Sequence, residues 1–117
     1  MNTKTVPKSD RKMYRQGDVL LIAVPELPER LIEIERDPAR GIVLAKSEVT
    51  GHAHRISSRT ASLYRSESEA RFMRVMGPAP VALQHEEHTA VELPPGSYQV
   101  VIHHEYQPGE IVRRVED

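Results

Sequence analysis

The sequence predicts an all-β protein, a small single-domain antiparallel barrel or sandwich over residues 13–117 behind a disordered tail at residues 1–12. Three observations carry this. Short runs rich in Val, Ile, Leu and Tyr recur at about 8–12-residue spacing with turn residues between them, the rhythm of linked antiparallel strands. No stretch of about ten residues or more places apolar side chains at helical spacing. At 117 residues with no cysteine, the chain is long enough to bury one core without disulfide staples and too short for a separate second domain.

Each element follows from local chemistry. The opening "MNTKTVPKSDRK" is polar, lacks periodicity and contains Pro7, which predicts a tail. "GDVLLIAV", Gly17 to Val24, is a continuous apolar run opened by Gly-Asp and closed by Pro25 and Pro28, and reads as a strand buried on both faces. Alternation at Ile32 and Ile34 favours a further strand. "GIVLAKSEV", from Gly41, is another, and Thr50-Gly51 turns the chain into "HAHRI". "ASLYRS" and "ARFMRVM" flank the polar tip Glu67-Ser68-Glu69 as a hairpin. "VALQH" and "HTAVEL" follow, Pro94-Pro95-Gly96 makes a turn, and "SYQVVIHHEY" is the next strand. Pro108-Gly109 breaks it, and "EIVRRV" closes as an edge strand or short helix. With aromatics at 4% and no Trp, the core must rest on Val, Leu, Ile and Ala.

Charge narrows the function. Sixteen basic and seventeen acidic residues leave a net charge of −1, so no global field draws the chain to phosphate backbones or anionic lipid. Nucleic acid is therefore not an expected partner, and no run approaches the roughly 18 apolar residues of a membrane span. Without a leader-like apolar segment at the N-terminus, the expected setting is the cytoplasm of a bacterial cell. The sequence also has no Gly-rich phosphate loop, no Ser or Cys nucleophile motif and no HExxH helix.

The histidines point to metal chemistry. In a strand, residues two apart share a face, so His52 and His54 of "EVTGHAHRI" would project side by side, with Ala53 opposite. His85 and His88 of "QHEEHTAV" are three apart, which puts them on opposite faces of a regular strand. A two-residue turn at Glu86-Glu87, a β-bulge at Glu86 or one helical turn would each reunite them, and Glu-Glu is poor chemistry for a tight hairpin, which favours the bulge. His52, His54, His85 and His88 are then four candidate ligands of one divalent ion; two unrelated surface pairs or a metal-free polar cluster are the alternatives. With thiolates absent, imidazole donors suit Zn first, with Ni, Fe or Mn as alternatives. Glu86 and Glu87, the candidate catalytic residues, could serve as a further ligand or as general base toward a bound water, or form a solvated turn. Of His103 and His104, adjacent on a strand, at most one could join the set.

"GHAH" on a strand, a later histidine-bearing strand, and "LPPGSY" before another apolar strand resemble the cupin arrangement. The resemblance implies a small β-barrel in which His52 and His54 stand for the HxH metal pair, His85 or His88 for the later histidine, and Pro95-Gly96 for the inter-strand turn. Ile56-Ser57-Ser58-Arg59 occupy the place of the glutamate that cupins carry after the HxH. The chain as a whole, with "QGDVLL", "TGHAHRI", "HEEH" and "PPGSYQV", is similar to small bacterial proteins of uncharacterised function.

Two functional classes follow. One is a metal-dependent enzyme of hydrolase or oxygenase type acting on a small-molecule substrate, with an open coordination position. The other is a non-catalytic interaction or structural β-module, a metal sensor or a homo-oligomer subunit.

Overall fold

The computed structural model describes residues 12–102. Of the expected tail, only Lys12 falls within them, its carbonyl accepting the Ala23 N–H at 2.8 Å. His103, His104, Tyr106 and the closing "EIVRRV" lie outside them.

The described residues form ten strands and no helix: β1 (Met13–Gln16), β2 (Val19–Val24), β3 (Ile32–Glu33), β4 (Ile42–Lys46), β5 (Ala53–Ile56), β6 (Ala61–Arg65), β7 (Arg71–Val75), β8 (Val81–Leu83), β9 (Val91–Leu93) and β10 (Gly96–Ile102). All pairings are antiparallel. Six strands make one sheet in the order β1-β2-β10-β7-β6-β3, while β4–β5 and β8–β9 are separate pairs. Arg55 and Gln84 exchange both backbone hydrogen bonds, at 2.9 and 2.8 Å, and so tie β5 to the end of β8.

One apolar core joins these pieces. It takes Val19 and Leu21 from β2, Leu63 and Met73 from the β6–β7 hairpin and Val100 from β10. From the paired strands it takes Ile42, Leu44, Ile56, Leu83 and Leu93. The strand period explains the selection: in "ASLYR" Ala61 and Leu63 are buried while Ser62 and Tyr64 are half-exposed. The predicted all-β antiparallel class therefore holds. Among the described residues the sheet does not run round into a closed barrel, since β1 and β3 are its two edges. No helix among them is long and apolar enough to cross a membrane.

Three local expectations are corrected. Gly17-Asp18 does not open a strand; it is the two-residue turn of a β1–β2 hairpin in which Gln16 pairs with Val19. Gly17 has φ +57°, and a positive φ at the first central position suits glycine in a tight hairpin turn. Ile34 lies beyond the short β3, packing against the core with its N–H on the Leu63 carbonyl. The bulge at Glu86 is absent as well: β8 pairs with β9 from Val81↔Leu93 to Leu83↔Val91, and His85 to His88 occupy the loop beyond. The two-faces objection lapses, because a loop is not bound by the strand period.

Candidate metal centre

All four predicted histidines line one cavity of about 340 Å³, together with Gly17, Asp18, Ala45, Lys46, Ser47 and Ile102. His54 comes from the middle of β5 and is buried, at 8% exposure. His52 precedes β5 and is half-exposed, its N–H held by Thr50 Oγ1 at 3.1 Å. His85 and His88 descend from the β8–β9 loop. The rings pack closely: His54 and His85 lie 4.3 Å apart between centroids and His85 and His88 4.6 Å, both tilted, His54 and His88 are stacked at 5.6 Å, and His52 meets His85 edge-on at 5.7 Å.

Candidate ligand atoms fall into two groups. Those of His54, His85 and His88 lie within 4.8 Å of one another, and so do those of His52, His85 and Glu86. Nitrogens on a tetrahedral Zn at about 2.0–2.1 Å are separated by roughly 3.3 Å, so rotamer adjustments of an ångström or so would close either group on an ion.

Gln16, at the end of β1, organises the first group. Its Nε2 donates to the Leu83 carbonyl at 2.8 Å and the Thr89 carbonyl at 3.0 Å, one on each side of the histidine loop. Carbonyls only accept, so the amide nitrogen must face them and Oε1 must face His54. His54 Nδ1 lies 2.8 Å from that oxygen. An amide oxygen only accepts, so Nδ1 carries the proton and Nε2 is left with the lone pair of the neutral ring. A hydrogen bond from the second ring nitrogen is the usual device that orients a metal-binding imidazole. Gln16 is itself 3% exposed, and its three hydrogen bonds satisfy it.

Gly17 supplies the space. A Cβ at this position would sit 2.7 Å from His88 Nε2 and 3.2 Å from His54 Cε1. Only a residue without a side chain lets both rings come in over the β1–β2 turn.

Electrostatics favour the neutral form of His54 and His85. Burial, then the neighbouring His85 and His88, push the His54 pKa down from 6.5 to about 4, against weaker pulls from Asp18 and Glu86. His85 is also lowered, by burial and by His88. Neutral imidazole is the form that ligates metal, so no proton has to leave His54 near neutral pH. His85 stands differently from His54: its Nδ1 accepts the Glu87 N–H at 3.0 Å, which places the proton of its neutral ring on Nε2.

The two carboxylates divide. Glu86 Oε1 accepts the Ala53 N–H at 2.9 Å, and Oε2 lies 3.6 Å from Arg55 Nη1. The Ala53 hydrogen bond leads the causes that hold its carboxyl below the usual range, with Arg55 adding to it. Glu86 thus laces the loop to β5 as a carboxylate anion. Glu87 is exposed, with Oε2 3.7 Å from His52 Nδ1. Arg55, besides facing Glu86, donates to the Ala53 carbonyl at 3.3 Å. Glu48 is exposed, and Tyr98 packs in the core with its hydroxyl on the Pro94 carbonyl and its ring edge-on to Tyr14.

Sequence reading did not single out Gln16 or Gly17 for the site. Gly-Asp is a two-residue hairpin signal only between strands, and the polar "MYRQ" before it does not announce one. Nothing local marks Gln16, because its partners lie 38 to 73 residues away.

Fold and site together define an all-β protein whose histidine cluster is geometrically able to hold a metal ion. The chain belongs to the family described as a domain of unknown function (DUF8820), whose model matches residues 15–103. That span takes in Gln16, Gly17 and all four clustered histidines. No curated protein and no solved structure matches the chain.

Proposed function

We propose that the protein binds one divalent cation through His54, His85 and His88 and presents it to a small molecule in the cavity they line. The observation that carries this reading is the Gln16–His54 hydrogen bond within a mutually close group of three imidazoles. A surface pair of histidines has no need of a buried amide that selects one tautomer. Zn suits three neutral nitrogen donors best, with Ni, Fe or Mn as alternatives.

Three protein ligands leave coordination positions for water or substrate, which is the arrangement of a Lewis-acid or hydroxide-generating centre rather than of a closed structural site. The cavity of about 340 Å³ falls at the small end of the range for small-molecule sites. Lys46 and Ser47 on its wall offer donors to an anionic or polar ligand. Of the two candidate acid–base residues, Glu87 is the freer, because Glu86 is engaged by Ala53 and Arg55. The architecture proposed is cupin-like in placing a histidine-held metal between antiparallel strands, with one ligand on a strand and two on a loop.

X-ray absorption of the Zn-loaded protein tests this reading. It should show three imidazole nitrogens at about 2.0–2.1 Å, marked by their ring multiple scattering, with one or two further oxygen ligands. A shell of oxygens without histidine multiple scattering would overturn it.

A further inference from the structure

The same loop contributes His85 and Glu86 to a second potential ligand group, and its relation to the first suggests how an ion gets in. His52, His85 and Glu86 also bring their ligand atoms within 4.8 Å of one another. This group lies nearer the rim: Glu86 is exposed and His52 half-exposed, whereas the inner group adds to the shared His85 the buried His54 and the exposed His88. It also contains the anionic donor that the inner group lacks.

His85 belongs to both groups. A neutral imidazole has one lone pair, so His85 serves one ion at a time and the two groups cannot both be filled through it. Its ring meets His52 edge-on and also lies against those of His54 and His88. Beyond the shared His85 and one further histidine in each group, the remaining ligand differs in kind: Glu86 at the rim, His54 inside. Glu86 is an exposed carboxylate with Oε1 on the Ala53 N–H and Oε2 3.6 Å from Arg55 Nη1, and its remaining lone pairs can attract a hydrated dication and replace part of its water shell. His54 is a neutral ring oriented by a buried amide, which holds an ion that has already lost its water.

Building on the metal-binding reading above, we propose that His52, His85 and Glu86 form an entry site that captures a divalent cation and passes it to His54, His85 and His88. His85 stays on the ion while His52 and Glu86 are exchanged for His54 and His88. No electron or covalent bond is involved, and with neutral rings no net proton is released in the transfer.

An entry site changes rates and leaves the final equilibrium alone. The test is stopped-flow binding of Co²⁺, followed by its visible absorption, in wild type, His52→Ala, Glu86→Gln and His54→Ala. Glu86→Gln keeps an oxygen for the Ala53 N–H, so the loop stays laced while the charge is removed. Both rim variants should bind one Co²⁺ with affinity within about threefold of wild type, while association and dissociation slow together by about tenfold or more. His54→Ala should lose the retained ion and keep only weak, rapidly exchanging binding. Unchanged rates in both rim variants would overturn the entry role. So would a second equivalent of Co²⁺ bound by wild type, or a loss of affinity in His52→Ala as deep as in His54→Ala, which would mean one four-histidine site. Failure of wild type to bind Co²⁺ at all would overturn the metal-binding reading itself, and the entry role with it.

Discussion

Gln16 Oε1 accepts a hydrogen bond from His54 Nδ1 at 2.8 Å, while the same amide donates to the carbonyls of Leu83 and Thr89. One buried side chain thus sets the tautomer of the innermost histidine and anchors the loop that carries two more. Replacing it by an isosteric apolar residue separates these effects from simple volume. Gln16→Leu leaves two carbonyls and a ring N–H short of partners, and should lower stability by about 2–4 kcal/mol in urea titrations. Metal affinity should fall by about 10- to 100-fold, the usual consequence of losing a group that orients a ligand.

Gly17 holds open the space over which His54 and His88 approach. Gly17→Ala meets the far end of the His88 ring, which is exposed and able to swing away. The left-handed backbone at φ +57° should make the change destabilising by about 1–2 kcal/mol. The diagnostic result is a disproportionate loss of metal binding in calorimetric titration, because the alanine displaces one ligand while the core beneath stays packed.

Acid should weaken both fold and site. In the unfolded chain His54 protonates near its ordinary pKa of 6.5, while in the native state burial and the neighbouring histidines hold protonation off to about 4. Between these values the unfolded state binds more protons, so stability falls as pH drops from about 6.5 toward about 4 and this contribution levels off below. Thermal denaturation across that window should show a falling midpoint in wild type and a shallower dependence in His54→Leu.

Coordination must also disturb the Glu87 amide. His85 Nδ1 now accepts that N–H, and the neutral ring carries its proton on Nε2. Ligation through Nδ1 displaces the amide directly, and ligation through Nε2 requires the proton to move to Nδ1, where it opposes the amide. Either way the hydrogen bond breaks. In two-dimensional ¹H–¹⁵N spectra the Glu87 amide should shift upfield in proton frequency on addition of Zn²⁺, while Ala53, bonded to the Glu86 carboxylate, moves only if the rim takes part.

Much of this was legible in the sequence because strand chemistry is local. The β6–β7 hairpin follows from alternating "ASLYR" and "RFMRV" around a polar tip, and β2 from its apolar run. His52 and His54 were recognisable as a pair because period-two spacing is a property of the strand that contains one of them. His85 and His88 were harder, since their proximity depends on a loop whose path is set by contacts with residues distant in sequence, Gln16 and, through Glu86, Ala53. The β1–β2 turn is hidden for a related reason: an apolar run shows where a strand lies, and the turn that begins it shows up only once its partner strand is recognised.

The central claim is that three histidines hold one divalent cation, and elemental analysis of tag-free protein by inductively coupled plasma mass spectrometry tests it most directly. Wild type exposed to equimolar Zn, Ni, Mn and Fe(II) and then desalted should retain about one equivalent of metal per chain, and His54→Ala and His88→Ala should each retain almost none while still folded by circular dichroism. Wild type that retains no metal under these conditions, or variants that retain as much as wild type, would contradict the account.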